Sequence, residues 1–588
     1  MTANNDSNIT IQNSTFQNNT YNSNGAALFF NSTGKLDLSN VTFEGNSNNS
    51  GGGAAYFGNG TFSISDVKFN GNKGKSGGAL YMADVNNAVL KNVTFDNNHT
   101  TSDGGAMYVS IANSFVEMDN VTFTNNSSTS SGMGGALYIA GALNPQKFNT
   151  VTIKNSLFEG NSTSEADNDG GAIHVGNYSN LTIDNTKFYD NVGTYSGGAI
   201  ITGQNGSLII KNSEFKRNHT TYDSGAVGVN GALDVYNTLF EENYALRSSY
   251  GRGGAIWTAY YIDHSNIISS TFKKNYSKLG GAIWFENPVV KVIDTIFEEN
   301  HADYGGAIYF NKSTPDIVDT NFTGNYADEG GAIYAGSSDL KIFADKKDIT
   351  FSGNIAHNDD FTDLANSYNG GAAIYFDGNN TLSLNASASR KMIYNDTVAS
   401  YGDNTININN SGLTYSDKDG NEVQMGNTGE VQFNNYVGDG QGNIFTINLY
   451  GGTLSIGQNG TNNITVANPD GYINFNNFNI KGNSVLNTVN NVIGEFAPKV
   501  FEIDNGVNWK YQFDVNLADA KSDKLKGANN NGALTISLAD LNIMNDAADD
   551  ELEIQYSDTN INGAIIGNKL TTSNGTYDVS VKNDATGS

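Results

Sequence analysis

The chain has 588 residues, 67 of them Gly and only 5 Pro, with no Cys and a formal charge of −28. That acidity, with Arg only at Arg217, Arg247, Arg252 and Arg390, excludes a nucleic-acid binder, which needs clustered basic residues. The absence of Cys excludes disulfides and thiol chemistry, and aromatic residues at 11% are too many for a disordered chain.

In chain order, MTANNDSNITIQ at the start carries neither a basic n-region nor an apolar h-region. No stretch reaches the roughly 18 apolar residues of a membrane helix. A repeat begins almost at Met1, which leads us to expect an excised or processed piece. Phe-x-x-Asn occurs thirteen times, with Phe at 16, 43, 69, 95, 123, 158, 188, 215, 240, 272, 297, 322 and 351. Gly-Gly-Ala-φ phrases alternate with it, starting at 52, 77, 104, 134, 170, 197, 253, 280, 305, 330 and 370, with degenerate copies at 24–28 and 224–227.

Three residues before each Phe stands Asn, Asp or Ser, from Asn13 to Asp348; five before it the residue is aliphatic in twelve of thirteen copies, Lys346 being the exception. Apolar residues two apart mark strands with one buried face. A period near 26 residues is too short for a propeller blade and suits a solenoid coil. The pattern predicts an all-β fold: a right-handed parallel β-helix in which Phe stacks inside. Asn or Asp at the turn hydrogen-bonds its counterpart in the next coil, and Gly-Gly supplies a corner with φ > 0. Alternation turns a second column outward: Tyr56, Tyr81, Tyr108, Tyr138, His174, Trp257, Trp284, Tyr309 and Tyr334.

The spacing lengthens at 140–148, 244–253 and 357–370, where loops should project. After 376 the phrase disappears while strand-like alternation continues: a hairpin around Asp-Gly at 413–425, then coils at 447–460 and 472–482. From about 500 the character changes again, with WKYQFDVNLADAKSDKLKG and a second strand near 533–541. The expected organisation is 1–376 as the β-helix of about thirteen coils, 377–500 as its irregular continuation, and 501–588 as a C-terminal β segment.

Interleaved Phe-x-x-Asn and Gly-Gly-Ala-Ile/Leu/Val tetrapeptides resemble the chlamydial polymorphic membrane protein repeat over residues 8–376. That family consists of autotransporter adhesins, each a β-helical passenger exported through a C-terminal outer-membrane barrel. The stretches INLYGGTLSIG and FDVNLADAKSDKLKG are similar to the autochaperone region that precedes such barrels. The resemblance implies a cell-surface or outer-membrane location, an adhesin without catalysis or cofactor, and a host cell-surface protein or glycan as partner. No barrel follows Ser588 and no Cys occurs, whereas many chlamydial members carry Cys. We therefore expect a passenger from another bacterium, with an archaeal source as the alternative.

β-Helices also host polysaccharide lyases and hydrolases, so an enzyme is one competing reading and a structural surface-layer element another. Asp294, Asp319 and Asp348 would stack carboxylates in adjacent coils, but they read first as Asn substitutes in the turn ladder. DKDGNE lacks the EF-hand spacing and reads as a turn. Asp263-His264-Ser265 is no triad arrangement, and His99, His219 and His301 are too far apart to share a metal. Asn-x-Ser/Thr triplets such as those at Asn8 and Asn40 follow from composition; exposed ones would be glycan sites in an archaeal source. The candidate ligand-binding patch is 244–284, with Tyr244, Arg247, Tyr250, Arg252, Trp257, Tyr260, Tyr261, His264 and Trp284, extended along the outward column by Tyr309 and Tyr334. Aromatic and Arg enrichment is what binding hot spots show; the competing reading is that these rings stack coil on coil.

Overall fold

The computed structural model describes residues 2–580 outside residue 5 and outside 111–114, 142–147, 165–168, 248–249, 260–261, 287–288, 358–369, 440–442, 458–472, 475, 497, 526–527, 531, 546–556, 558–562 and 573–575. The predicted loops at 140–148, 244–253 and 357–370 thus lie partly outside the described residues. Two compact units form, Met1–Val290 with Thr295–Tyr309, and Lys291–Asp294 with Phe310–Ser588. Both are parallel β-solenoids, and the described residues contain no α-helix, only a 3-10 turn at Leu538–Asp540.

In the first unit the coils up to Phe123 contribute three strands each, and from Asn149 the long strand is split in two at its corner. The strand after Gly-Gly-Ala, such as Leu80–Ala83, pairs in parallel with Ala55–Gly58 and Met107–Val109. A long strand such as Asn87–Asp96 lies between Thr61–Asn70 and Phe115–Thr124. It bends in its middle at Asn92, whose φ of 54° only Asn, Asp and Gly adopt readily. A two-residue strand after the Phe-x-x-Asn phrase, such as His99–Thr100, completes the coil.

Because the register sets Phe on Phe, the rings from Phe16 to Phe297 stack at 4.6–5.0 Å and within 12° of parallel. The first glycine of the phrase takes φ > 0, as at Gly104 with +68°. The second has no room for a side chain: a Cβ on Gly105 would lie 1.8 Å from the Gly135 carbonyl oxygen. The Ala that follows is fully buried in coil after coil.

Two asparagine ladders run along this unit. The Asn of Phe-x-x-Asn points inward. From Asn19 to Asn300 each Nδ2 donates to the next coil's Oδ1 at 2.8–3.0 Å, and that oxygen also accepts the backbone N–H. The Asn three before Phe forms a second, exposed ladder, as in Asn40 to Asn13 at 2.7 Å and Asn120 to Asn92 at 2.8 Å.

The second unit corrects the register at Lys346. Ile317 pairs with Ile342 and Phe322 with Phe351, so the aliphatic position is Ile342 and the corner holds four extra residues. These turn over Asp319, whose carboxylate accepts the N–H groups of Asp345, Lys346 and Lys347 at 2.8–3.1 Å. Asp294 and Asp319 share the left-handed corner conformation; Asp348 lies outside that register and accepts from the Lys391 N–H at 3.0 Å. The last Gly-Gly-Ala phrase is shifted by one, with the positive φ at Gly371.

Beyond 376 the Phe column passes to Tyr394 and Phe433, then to Ile456. The buried ladder in this unit runs from Asn325 to Asn354 and stops on the Asp396 carboxylate, 2.6 Å from Asn354 Nδ2. The hairpin at 413–425 forms, Thr414–Ser416 lying antiparallel to Glu422–Gln424. Parallel stacking then crosses residue 500 without a break. Val500–Ile503 and Asn508–Gln512 lie on Asn477–Ile480 and Ser484–Asn487, and pairing continues to Gly563–Ile566.

Candidate ligand-binding faces

Alternation along the strand after Gly-Gly-Ala sends one residue per coil outward, and pairing in register makes those residues a stack. Phe29, Tyr56, Tyr81, Tyr108, Tyr138 and His174 lie ring on ring at 4.6–5.4 Å, each half-buried between its neighbours. Burial pushes the Tyr138 hydroxyl up to about 12 and His174 down to about 4. The stack breaks at Ile201 and Gly228. A Cβ on Gly228 would meet Ile201 Cδ1 at 2.5 Å, so the Ile side chain already fills that place.

The stack resumes with Trp257, Trp284 and Tyr309, at 6.4 and 6.3 Å between centroids. Here the expectation of an outward, exposed pair of indoles needs correction. Trp284 is only 4% exposed, because Arg252 from the preceding corner lies over both rings, 5.1 Å from Trp257 and 5.0 Å from Trp284. Asp223, itself buried, fixes that guanidinium at 2.7 Å and accepts the Arg252 N–H at 3.0 Å. Tyr334, in the second unit, is likewise buried rather than exposed. Tyr375 covers it, and its hydroxyl donates to Asp377 at 2.7 Å.

The remaining candidates do not join this cluster. Arg247 lies over Tyr222 at 5.2 Å, and Tyr250 stands 63% exposed. Tyr244 belongs to the two-residue strand on another face. Tyr260 and Tyr261 lie outside the described residues. His264 sits 3.5 Å from Asp234, a surface contact between neighbouring coils, and its hydrogen bond helps hold that carboxyl below its usual range. In DKDGNE, Asp417 accepts the N–H groups of Asp419 and Asn421 at 2.9 and 2.8 Å, which is a turn. Asn-x-Ser/Thr triplets at Asn98, Asn126, Asn161 and Asn218 use buried ladder residues, whereas Asn40, Asn92 and Asn120 are exposed.

A second outward face went unread in the sequence. The two-residue strands, continued by single β-bridges at Tyr276 and His301, place His219, Tyr244, Tyr276 and His301 one above another, His219 on Tyr244 at 4.6 Å and Tyr276 on His301 at 5.1 Å. Beside them runs the corner residue that precedes each ladder Asn, left-handed in every coil of this unit up to Phe297. The first six such coils put Asn or Gly there. The next five put Asp190, Arg217, Glu242, Lys274 and Glu299 at φ 54–55°. Long side chains in that conformation cost about 1 kcal/mol each relative to Gly, so the charges are placed against a backbone preference. Arg217 pairs with Asp190 at 2.8 Å and Lys274 with Glu299 at 3.5 Å. Aromatic strip and charged rim enclose an open groove of about 460 Å³. The legible signal was the pair of residues inside each phrase: FKRN, FEEN, FKKN, FEEN.

Residues 2–166 match the family model of the right-handed beta helix region. Residues 294–311, 319–336 and 348–382 match that of the Chlamydia polymorphic membrane protein repeat. No curated protein matches the chain. Residues 167–293 fall in neither match, yet they repeat the same phrase with the same pairing, Phe188 on Phe215 and Phe215 on Phe240. Fold and repeat fit the passenger of an autotransporter-like protein. The chain carries polymorphic membrane protein-type repeats, each wound as one coil of a parallel β-solenoid.

Proposed function

We propose that this chain is the passenger region of a cell-surface, autotransporter-like adhesin, exported to the outer surface, that binds a host protein or glycan along its coils and catalyses nothing. The observation that carries this reading is the outward ring stack from Phe29 to His174, one ring per coil at 4.6–5.4 Å. Ring edges and hydroxyls presented at a fixed repeat suit an extended ligand that gains affinity by touching several coils at once. The buried ladders keep those rings in line, so little ordering cost is left for binding.

The test is binding of labelled 1–588 to epithelial cells and to a glycan array, beside a Tyr81→Ser/Tyr108→Ser variant. Saturable binding that the variant weakens about tenfold or more supports the adhesin reading and this face. Depolymerisation of an arrayed polysaccharide would replace it with an enzyme. Absence of any ligand, together with self-assembly into sheets, would replace it with a structural surface-layer element.

A further inference from the structure

We propose that the coils of Phe215, Phe240, Phe272 and Phe297 form an antiparallel, two-fold contact with a second copy of this chain. The order of residues on the groove face points to it. Along the corner column the charges run plus, minus, plus, minus: Arg217, Glu242, Lys274, Glu299. Beside it the rings run His219, Tyr244, Tyr276, His301, a palindrome.

Two copies packed face to face can be related by a two-fold axis along the coil stack or across it. An axis along the stack sets each coil against its own copy: run over the charged column it makes every charge meet a like charge, and run beside it the charges face rings. An axis across the stack, passing between the coils of Phe240 and Phe272, reverses the order. Arg217 then meets Glu299 and Glu242 meets Lys274, while Tyr meets Tyr and His meets His. The residues one place earlier, Lys216, Glu241, Lys273 and Glu298, repeat the same signs. Only the antiparallel arrangement makes all four coils complementary. The run one coil earlier, Asp190 to Lys274, also alternates in sign, but Tyr189 breaks its second charged column and Val192 breaks the palindrome of rings.

The charges are available for it. The side chains of Arg217, Lys274 and Glu299 keep 47–50% of their surface exposed. Arg217 turns to Asp190 and Lys274 to Glu299, which leaves Glu242 at the proposed axis without an ion pair among the described residues. His219 and Tyr244 stay half-buried, with ring surface toward the groove. Exposed charges are screened over about 8 Å at physiological ionic strength, so the contact is weak, salt-sensitive and strengthened where many copies crowd one surface. It stands independently of any host ligand.

Sedimentation velocity of the full chain tests it. Dimers are expected at low salt, with association falling at least about tenfold in high salt. Lys216→Glu/Arg217→Glu and Glu298→Lys/Glu299→Lys should each be monomeric, and an equimolar mixture of the two should dimerise again, because the swapped charges then face each other. A monomeric wild type at low salt, or charge variants that associate as the wild type does, would overturn the proposal; so would a mixture that stays monomeric. Should the charge variants not fold, the cysteine-free chain allows a second measurement with His219→Cys/His301→Cys. The two thiols lie three coils apart within one chain and opposite each other across the axis. Oxidation at low salt must then give a disulfide-linked dimer, and failure to do so rejects the contact.

Discussion

Arg252 Nη2 donates to Asp223 Oδ2 at 2.7 Å while the same guanidinium lies 5.1 and 5.0 Å from the ring centroids of Trp257 and Trp284. One cation thus neutralises a buried carboxylate and roofs two indoles. Removing it by Arg252→Ala strands the Asp223 charge. The Arg side chain keeps 28% of its surface exposed, so water relieves part of the penalty, and we expect a loss of about 1–3 kcal/mol rather than the 3–5 of a fully dry pair. The chain has three Trp, and Trp509 is 1% exposed. Red-shifted emission and increased acrylamide quenching in Arg252→Ala must therefore come from Trp257 and Trp284. Unchanged quenching would mean that Arg252 does not cover them.

The two Asn ladders differ in burial, which makes them separable by mutation. Asn126 donates to Asn161 Oδ1 at 3.0 Å and to the Phe95 carbonyl at 2.9 Å, and its own Oδ1 accepts both the N–H and the Nδ2 of Asn98. Asn126→Ala leaves several buried groups unpaired and should cost roughly 2–5 kcal/mol. Asn120→Gly, which keeps the left-handed corner (φ 56°), removes an exposed link, with Asn92 free to bond water, and should cost under about 1 kcal/mol. Hydrogen exchange of the flanking coils reads the difference directly. Equal effects at the two positions would refute the assignment of the inner ladder as the stronger restraint.

The coil was legible because stacking works only when each turn presents the same residue at the same height, so Phe, Asn and Gly recur in order. Counting back from Phe failed at Lys346, since it assumes constant spacing and the four extra residues of that corner are absorbed by Asp319. Alternation correctly sent the Tyr and Trp column outward. It said nothing about Arg252 reaching across coils to bury Trp284, because that contact depends on side-chain length and not on period. The corner charges were missed because the two variable places in Phe-x-x-Asn look unconstrained until the backbone shows the second of them left-handed. Past 376 the column survives in Tyr394, Phe433 and Ile456, residues of similar bulk that spell no common phrase.

His174 interrupts a run of Tyr, stacked on Tyr138 at 5.0 Å, and burial lowers its pKa to about 4. The folded coil holds the ring neutral, while the unfolded chain takes up a proton near pH 6.5. Stability of these coils therefore falls as pH drops from 6.5 toward 4, by about 1–3 kcal/mol in total. His174→Tyr continues the column and removes the titrating group. Protection of residues 170–175 against exchange, measured from pH 7 to 4.5, should decline in the wild type and stay level in the variant. A parallel decline in both would exclude His174 as its source.

The coils near the C-terminal end should respond to pH in the opposite sense. Asp523 is buried beside Asp514, and loss of hydration raises its pKa to about 7, despite donation from the N–H groups of Asp514 and Gly494 and from the Thr488 hydroxyl. Between pH 4 and 7 the folded state holds a proton that the unfolded chain has given up, so these coils gain stability as pH falls through 7 and lose it as pH rises. Residues 488–525 should then exchange more slowly at pH 5 than at pH 8 after correction for chemical exchange. Asp523→Asn, which cannot ionise, should flatten that dependence and narrow the gap to wild type at pH 8. Protection that rises with pH in the wild type, or the same slope in the variant, would show that the carboxyl is ionised throughout and held by its three donors alone.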